Sequence, residues 1–103
     1  MHADIATKRN GIESVCRRYG VARLEVFGSA ARGTDFDAAT SDVDVLVAFA
    51  PRPDLSALEQ VFGLKEALEE VLGRPVDLVE ETAVRNPYLR AAIDQSRALV
   101  YAA

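Results

Sequence analysis

The sequence predicts a small mixed α/β domain, of the α+β kind, in which helices pack on one face of a short mixed β-sheet. Three observations lead there. Apolar residues between positions 5 and 19 recur with helical spacing, and those between 43 and 49 alternate with a period of two. Such segments follow one another in the order α-β-β-α-β-α, with room for a last short strand. A chain of 103 residues, half of them hydrophobic, suffices for one core, so 1–103 is read as a single domain.

The first helix is expected over about 4–19. Ile12, Val15, Cys16 and Tyr19 form its stripe, Ile5 stands one heptad before Ile12, and Gly20 ends the helix. Lys8, Arg9, Arg17 and Arg18 cover the other side. Cys16, alone in the chain, excludes an internal disulfide and a cysteine metal cluster, and reads as a small buried residue. Leu24 to Phe27 is a short strand that Gly28-Ser29 interrupts, and Ala30-Ala31-Arg32 suits a helical turn. The polar run from Gly33 to Ser41 reads as a loop, with Asp35 and Asp37 solvated.

Asp42 to Phe49 is the clearest strand, with Val43, Val45, Val47 and Phe49 on one face and Asp42, Asp44, Leu46 and Ala48 on the other. Pro51 and Pro53 end it. Asp54 or Ser56 caps a helix running to about Leu72. Its expected stripe is Leu58, Val61, Phe62, the stem of Lys65, Leu68 and Leu72, with Glu66, Glu69 and Glu70 in water and Gly73 as the stop. Val76 to Val79 is a third strand. Asn86-Pro87 starts a helix to about Gln95 that carries Leu89 and Ile93 inward, and Leu99 to Tyr101 suits a final strand.

The formal net charge of −4 argues against direct nucleic-acid binding, which depends on Lys and Arg neutralising phosphates. No apolar run reaches the roughly 18–20 residues of a membrane span, and the first residues lack a basic-then-apolar leader, so the expected compartment is the cytoplasm.

Chemistry concentrates at Gly28-Ser29 and at Asp42-Val43-Asp44. A glycine lets backbone approach a phosphate, and the serine hydroxyl with neighbouring N–H groups donates to it. Asp42 and Asp44 project from the less apolar strand face. Val76 and Leu78 point inward, so Asp77 projects from that same face if the strands are neighbours. At about 5 Å and an effective dielectric near 20, each like-charged pair costs on the order of 3 kcal/mol. A divalent cation removes that repulsion. Hard oxygen donors without a Cys/His set favour Mg²⁺, which takes one or two carboxylates together with substrate phosphates. Asp42-x-Asp44 alone reads more readily as a solvated acidic pair; the turn upstream and Asp77 downstream shift the balance toward a nucleoside triphosphate site. Arg32 either adds charge to the phosphates or clasps Asp35, Asp37 or Asp42.

The stretches Val26-Phe27-Gly28-Ser29-Ala30-Ala31-Arg32-Gly33, Ser41-Asp42-Val43-Asp44-Val45-Leu46-Val47 and Pro75-Val76-Asp77-Leu78-Val79 resemble the DNA polymerase beta-like nucleotidyltransferase superfamily. The chain is most similar to its minimal nucleotidyltransferases, the MNT-domain proteins, and the run Asn86-Pro87-Tyr88-Leu89-Arg90 onward is similar to their C-termini. Twelve residues separate Ser29 from Asp42, a longer interval than in many relatives.

The resemblance implies an active enzyme that transfers a nucleoside monophosphate, usually AMP from ATP, to a hydroxyl with release of pyrophosphate. Gly28 and Ser29, with Arg32 beside them, would hold the triphosphate; Asp42 and Asp44 would bind two Mg²⁺ ions; Asp77 would share the ion nearer the incoming hydroxyl. MNT proteins of this size resemble antitoxins of HEPN-domain ribonuclease toxins, silenced by AMP on a toxin tyrosine, by complex formation or by both. The expected partner is therefore a HEPN toxin in a hetero-oligomer. Neutralisation by binding alone is the alternative, as is AMP transfer to a small molecule, for which the chain has no second substrate domain.

Overall fold

A computed structural model describes residues 3–32 and 42–103. The expectations for the 33–41 loop, Asp35 and Asp37 lie outside them. The described chain runs α1 (Ala3–Thr7), α2 (Arg9–Arg18), β1 (Val21–Phe27), α3 (Ser29–Arg32), β2 (Val43–Phe49), α4 (Ala57–Leu72), β3 (Val76–Glu80), a 3₁₀ turn (Glu81–Ala83), α5 (Pro87–Ser96) and β4 (Ala98–Ala102). The four strands form one sheet in the order β3-β2-β1-β4. β1 is antiparallel to both β2 and β4, whereas β2 and β3 are parallel. Parallel neighbours need a crossover, and α4 supplies it. The mixed sheet with helices is the architecture that the sequence predicts.

One face of the sheet carries the core. Leu24, Val26, Val43, Val45, Val47 and Val76 pack there with Ile5, Ile12 and Cys16 from α1 and α2 and with Leu64, Leu68 and Leu72 from α4. Burial pushes the Cys16 thiol up to about 12, in keeping with an inert core residue. The first helix is in fact two. Lys8 breaks it with φ −100° and ψ 11°, and its ammonium donates to the Leu72 carbonyl at the end of α4 (3.2 Å). Mid-helix Gly11 serves close packing, since a Cβ there would stand 3.1 Å from Val71 Cγ1.

Both helix starts follow the expected cap chemistry. Ser56 Oγ accepts from the Glu59 N–H at the start of α4, and Asn86 Oδ1 accepts from the N–H groups of Tyr88 and Leu89 before Pro87 opens α5. Gly73 ends α4 in the left-handed region at φ 69°.

The stripe of α4 differs from the expected one. Gln60, Leu64, Leu68 and Leu72 are its buried residues, whereas Leu58 and Phe62 are 68% and 57% exposed. Apolar residues stand on both flanks of this helix, so spacing alone supports two overlapping stripes. Gln60 selects between them by donating through Nε2 to the Tyr19 and Ala50 carbonyls, 3.0 and 3.3 Å away. Glu69 is also not simply solvated: Oε2 accepts from Lys65 Nζ and from the Val76 N–H, fixing the start of β3. Leu64→Ala is expected to cost about 2–5 kcal/mol and Phe62→Ala under about 0.5 kcal/mol by urea unfolding, the reverse of what the sequence stripe implies.

The other sheet face is covered in part. Register places Glu25 opposite Leu46 on that face, and both are buried, at 3% and 2% exposed. Helix α5 lies over β1, with Ile93 fully buried and Arg97, its C-cap, reaching Glu25. Leu46 therefore sits under cover, where the sequence reading left it on an open face. Leu89 is 42% exposed instead of inward, because Ile93 alone of that pair meets the sheet.

Candidate active site

The site is built where the end of β1 meets the starts of β2 and β3. Phe27, the last residue of β1, pairs with Asp44, and Asp44 pairs in register with Asp77 on the parallel neighbour. Alternation does the rest: Val43 and Val76 go to the core, and Asp44 and Asp77 project side by side from the opposite face. Asp42 stands just before β2 and is exposed, as is Asp77, whereas Asp44 is half-buried. The reading that strand β2 begins at Asp42 is thus one residue too generous.

Asp44 feels its neighbours. Its carboxyl is held above the usual range, first by burial, then by the charge of Asp77 and that of Asp42. Both neighbouring carboxylates thus act on Asp44 in the same direction as burial.

Directly after Phe27, the strand partner of Asp44, the chain turns at Gly28. Its φ of +69° lies in the left-handed region, and a Cβ there would stand 2.8 Å from Asp44 Oδ2. The backbone angle favours glycine, and any side chain there would also have to displace the Asp44 carboxylate. Ser29 then opens the four-residue helix α3, which is pinned by Ala30 and Ala31, 1% and 8% exposed. Small side chains let this helix lie close to the sheet. Arg32 is the last residue of α3, one turn after Ser29, and its side chain lies outside what the structure describes.

Two interactions here were not legible in the sequence. The Gly28 N–H donates to Ser96 Oγ at 2.9 Å, so it is engaged within the protein and the N–H groups open to a phosphate begin at Ser29. Buried Glu25 accepts from Arg97 Nε and Nη2, both at 2.7 Å, and from Arg23 Nε at 2.8 Å. Arg97, whose hydrogen bond leads, and Arg23 hold the Glu25 carboxyl down to about 2. A serine late in a polar helix and a glutamate alternating with apolar residues each read as solvent-facing. The one available hint was Leu46, an apolar residue on the acidic face, which signals that something covers it.

The donor set suits a hard divalent ion. Among the described residues no group of three acidic, His or Cys side chains already stands in metal-holding geometry. Mg²⁺ does not need one, since it keeps several waters and takes one or two carboxylates with substrate phosphates. Asp44 stands in register with Asp77, and burial first and then the charges of Asp77 and Asp42 disfavour its ionised form, an effect a cation there would offset. The residues fit the ion. A cleft of about 230 Å³ lined by Phe49, Ala57, Gln60 and Glu80 lies at the other end of β2 and contributes nothing to these carboxylates.

Comparison with known proteins identifies the family and the fold. A family model described as a nucleotidyltransferase domain matches residues 8–100. The protein adenylyltransferase MntA of Thermococcus cleftensis is 37% identical over 84 residues, which are 82% of this chain and 77% of that protein. A Methanocaldococcus jannaschii protein, named provisionally as a protein adenylyltransferase, is also 37% identical, over 82% of this chain and 79% of its own length. The solved structure of a provisionally named minimal nucleotidyltransferase covers 94% of this chain and 96% of its own, with a TM-score of 0.71 and 38% identity. A structure described as a toxin–antitoxin with AMP-PNP shares the fold at a TM-score of 0.68 and 23% identity, over 92% of this chain and 73% of that one. No helix among the described residues is long and apolar enough to cross a membrane.

Proposed function

This chain belongs to the nucleotidyltransferase domain family, and from that premise we propose that it transfers AMP from ATP to a tyrosine hydroxyl of a partner HEPN ribonuclease toxin, acting as its antitoxin. The observation that carries the reading is the register of Asp44 with Asp77, beside a glycine turn that packs on the Asp44 carboxylate.

Asp42, Asp44 and Asp77 would hold two Mg²⁺ ions. Bound there, the ions supply charge neutralisation on the phosphates and on the attacking and leaving oxygens of an in-line displacement. The Ser29 hydroxyl and backbone N–H bind the β- and γ-phosphates and aim the α-phosphorus at the acidic face, and Arg32 adds positive charge from the same short helix. Asp77, exposed at the start of β3, meets the incoming hydroxyl and takes its proton. The tyrosine oxygen bonds to the α-phosphorus as the bond to the bridging oxygen of the β-phosphate breaks, and pyrophosphate leaves.

Two similarities support a protein acceptor: the 37% identical relative named protein adenylyltransferase MntA, and a complex described as a tri-AMPylated Shewanella oneidensis HEPN toxin with its MNT antitoxin, which shares this fold at 19% identity. The acidic face also supports it. Asp42 and Asp77 are exposed at the sheet edge, so a tyrosine on another surface can reach them.

The test is incubation with the partner HEPN protein, labelled ATP and Mg²⁺, followed by peptide mass analysis. The expected result is AMP on a tyrosine of the partner, absent when Mg²⁺ is chelated. Transfer to a small alcohol in place of the partner, or no transfer at all, sinks the reading.

A further inference from the structure

We propose that Ser96 is a positioning residue for the nucleotide, acting through the Gly28–Ser29 turn; this rests on the reading of that turn as the triphosphate-binding element.

The Gly28 N–H donates to Ser96 Oγ at 2.9 Å, joining positions 68 residues apart. Gly28 is also where the chain adopts φ +69° and where a Cβ would stand 2.8 Å from the Asp44 carboxylate oxygen. Backbone angle, carboxylate contact and the Ser96 hydrogen bond therefore meet at one residue, the one that sets where Ser29 begins. The anchor itself is well held. Ser96 ends α5, and Arg97 directly after it is fastened to buried Glu25 by two hydrogen bonds of 2.7 Å and to Asp94 by one of 2.8 Å. A side-chain oxygen is required, because a backbone N–H needs an acceptor that alanine lacks and threonine keeps. The Gly28 N–H is only part-buried, so water can replace Ser96 as acceptor with small loss of stability. Water does not fix the turn in space, and the phosphate ligands on Ser29 lose their pre-set place.

The full chain is titrated with Mg²⁺ and a non-hydrolysable ATP analogue, in parallel with amide exchange at Gly28. Ser96→Ala is expected to weaken analogue binding about tenfold and to speed Gly28 exchange, with melting within about 3 °C of the unaltered chain. Ser96→Thr is expected to restore both to within about twofold. A purely structural serine would lower the melting temperature while the folded fraction bound the analogue with unchanged Kd. If the unaltered chain binds the analogue and Ser96→Ala binds it equally well, the positioning role is wrong and the site reading stands. If the unaltered chain binds none, the site reading fails and takes this role with it.

Discussion

Replacing Asp42 and Asp44 together by asparagine is expected to lower AMP transfer at least about a thousandfold, while the chain melts no lower than the unaltered one in the absence of divalent ions. The two halves come from one cause. Charge neutralisation by bound ions is worth several kcal/mol of transition-state stabilisation, and each 1.4 kcal/mol is a factor of about ten. Asparagine keeps the shape of the side chain and removes the charge that such ions require. In the ion-free protein that charge is a burden, since burial and the neighbouring Asp77 and Asp42 hold the Asp44 carboxyl above its usual range. Its ionised form is less favourable in the fold than in the unfolded chain, so neutralising it removes that cost. A labelled transfer assay and a melting curve without Mg²⁺ read the two effects separately. Loss of transfer with a lower melting temperature would point to misfolding instead. Full protection from the toxin by the transfer-dead double variant would favour neutralisation by binding alone.

Arg97→Ala is expected to destabilise the chain by about 3–5 kcal/mol, a large share of the roughly 5–15 kcal/mol that holds a small domain. The alanine leaves Glu25, 3% exposed, with Arg23 as its remaining partner. Replacing both members, as in Glu25→Leu with Arg97→Leu, is expected to cost much less, because no buried charge is left alone. The pair also sets a pH dependence. Glu25 is held at about 2 in the fold against an ordinary value of 4.5, so it binds a proton less readily when folded. Its contribution is complete above about 4.5 and is lost as the pH falls through about 2. Urea unfolding between those limits should show stability declining with acid in the unaltered chain and a flatter profile in the Glu25→Leu/Arg97→Leu variant.

The legible parts of this protein are those where local chemistry decides. Val43, Val45 and Val47 alternate without exception, so the face of Asp44 follows from the strand itself. Asn86-Pro87, Ser56 and Gly73 are terminal signals whose hydrogen bonds or backbone angles are local, and all three act as expected. The departures are tertiary. The buried stripe of α4 depends on what Gln60 finds in the Tyr19 and Ala50 carbonyls, which no spacing of apolar residues encodes. The burial of Glu25 depends on α5 crossing back over β1 from about 70 positions away, and the Ser96 hydrogen bond to Gly28 arises from the same crossing. Acids on a strand can be assigned a face from sequence; whether another segment covers that face cannot.

Because α4 runs back from the end of β2 to the start of β3, its last carbonyls finish at the sheet edge where Val43 and Val76 begin. The negative pole of a 16-residue helix thus lies at the same edge as Asp42, Asp44 and Asp77, offset by the Lys8 ammonium on Leu72. On the proposed reading, this edge repels a bare triphosphate more strongly than one already carrying a divalent ion, which favours arrival of nucleotide and metal as a single complex.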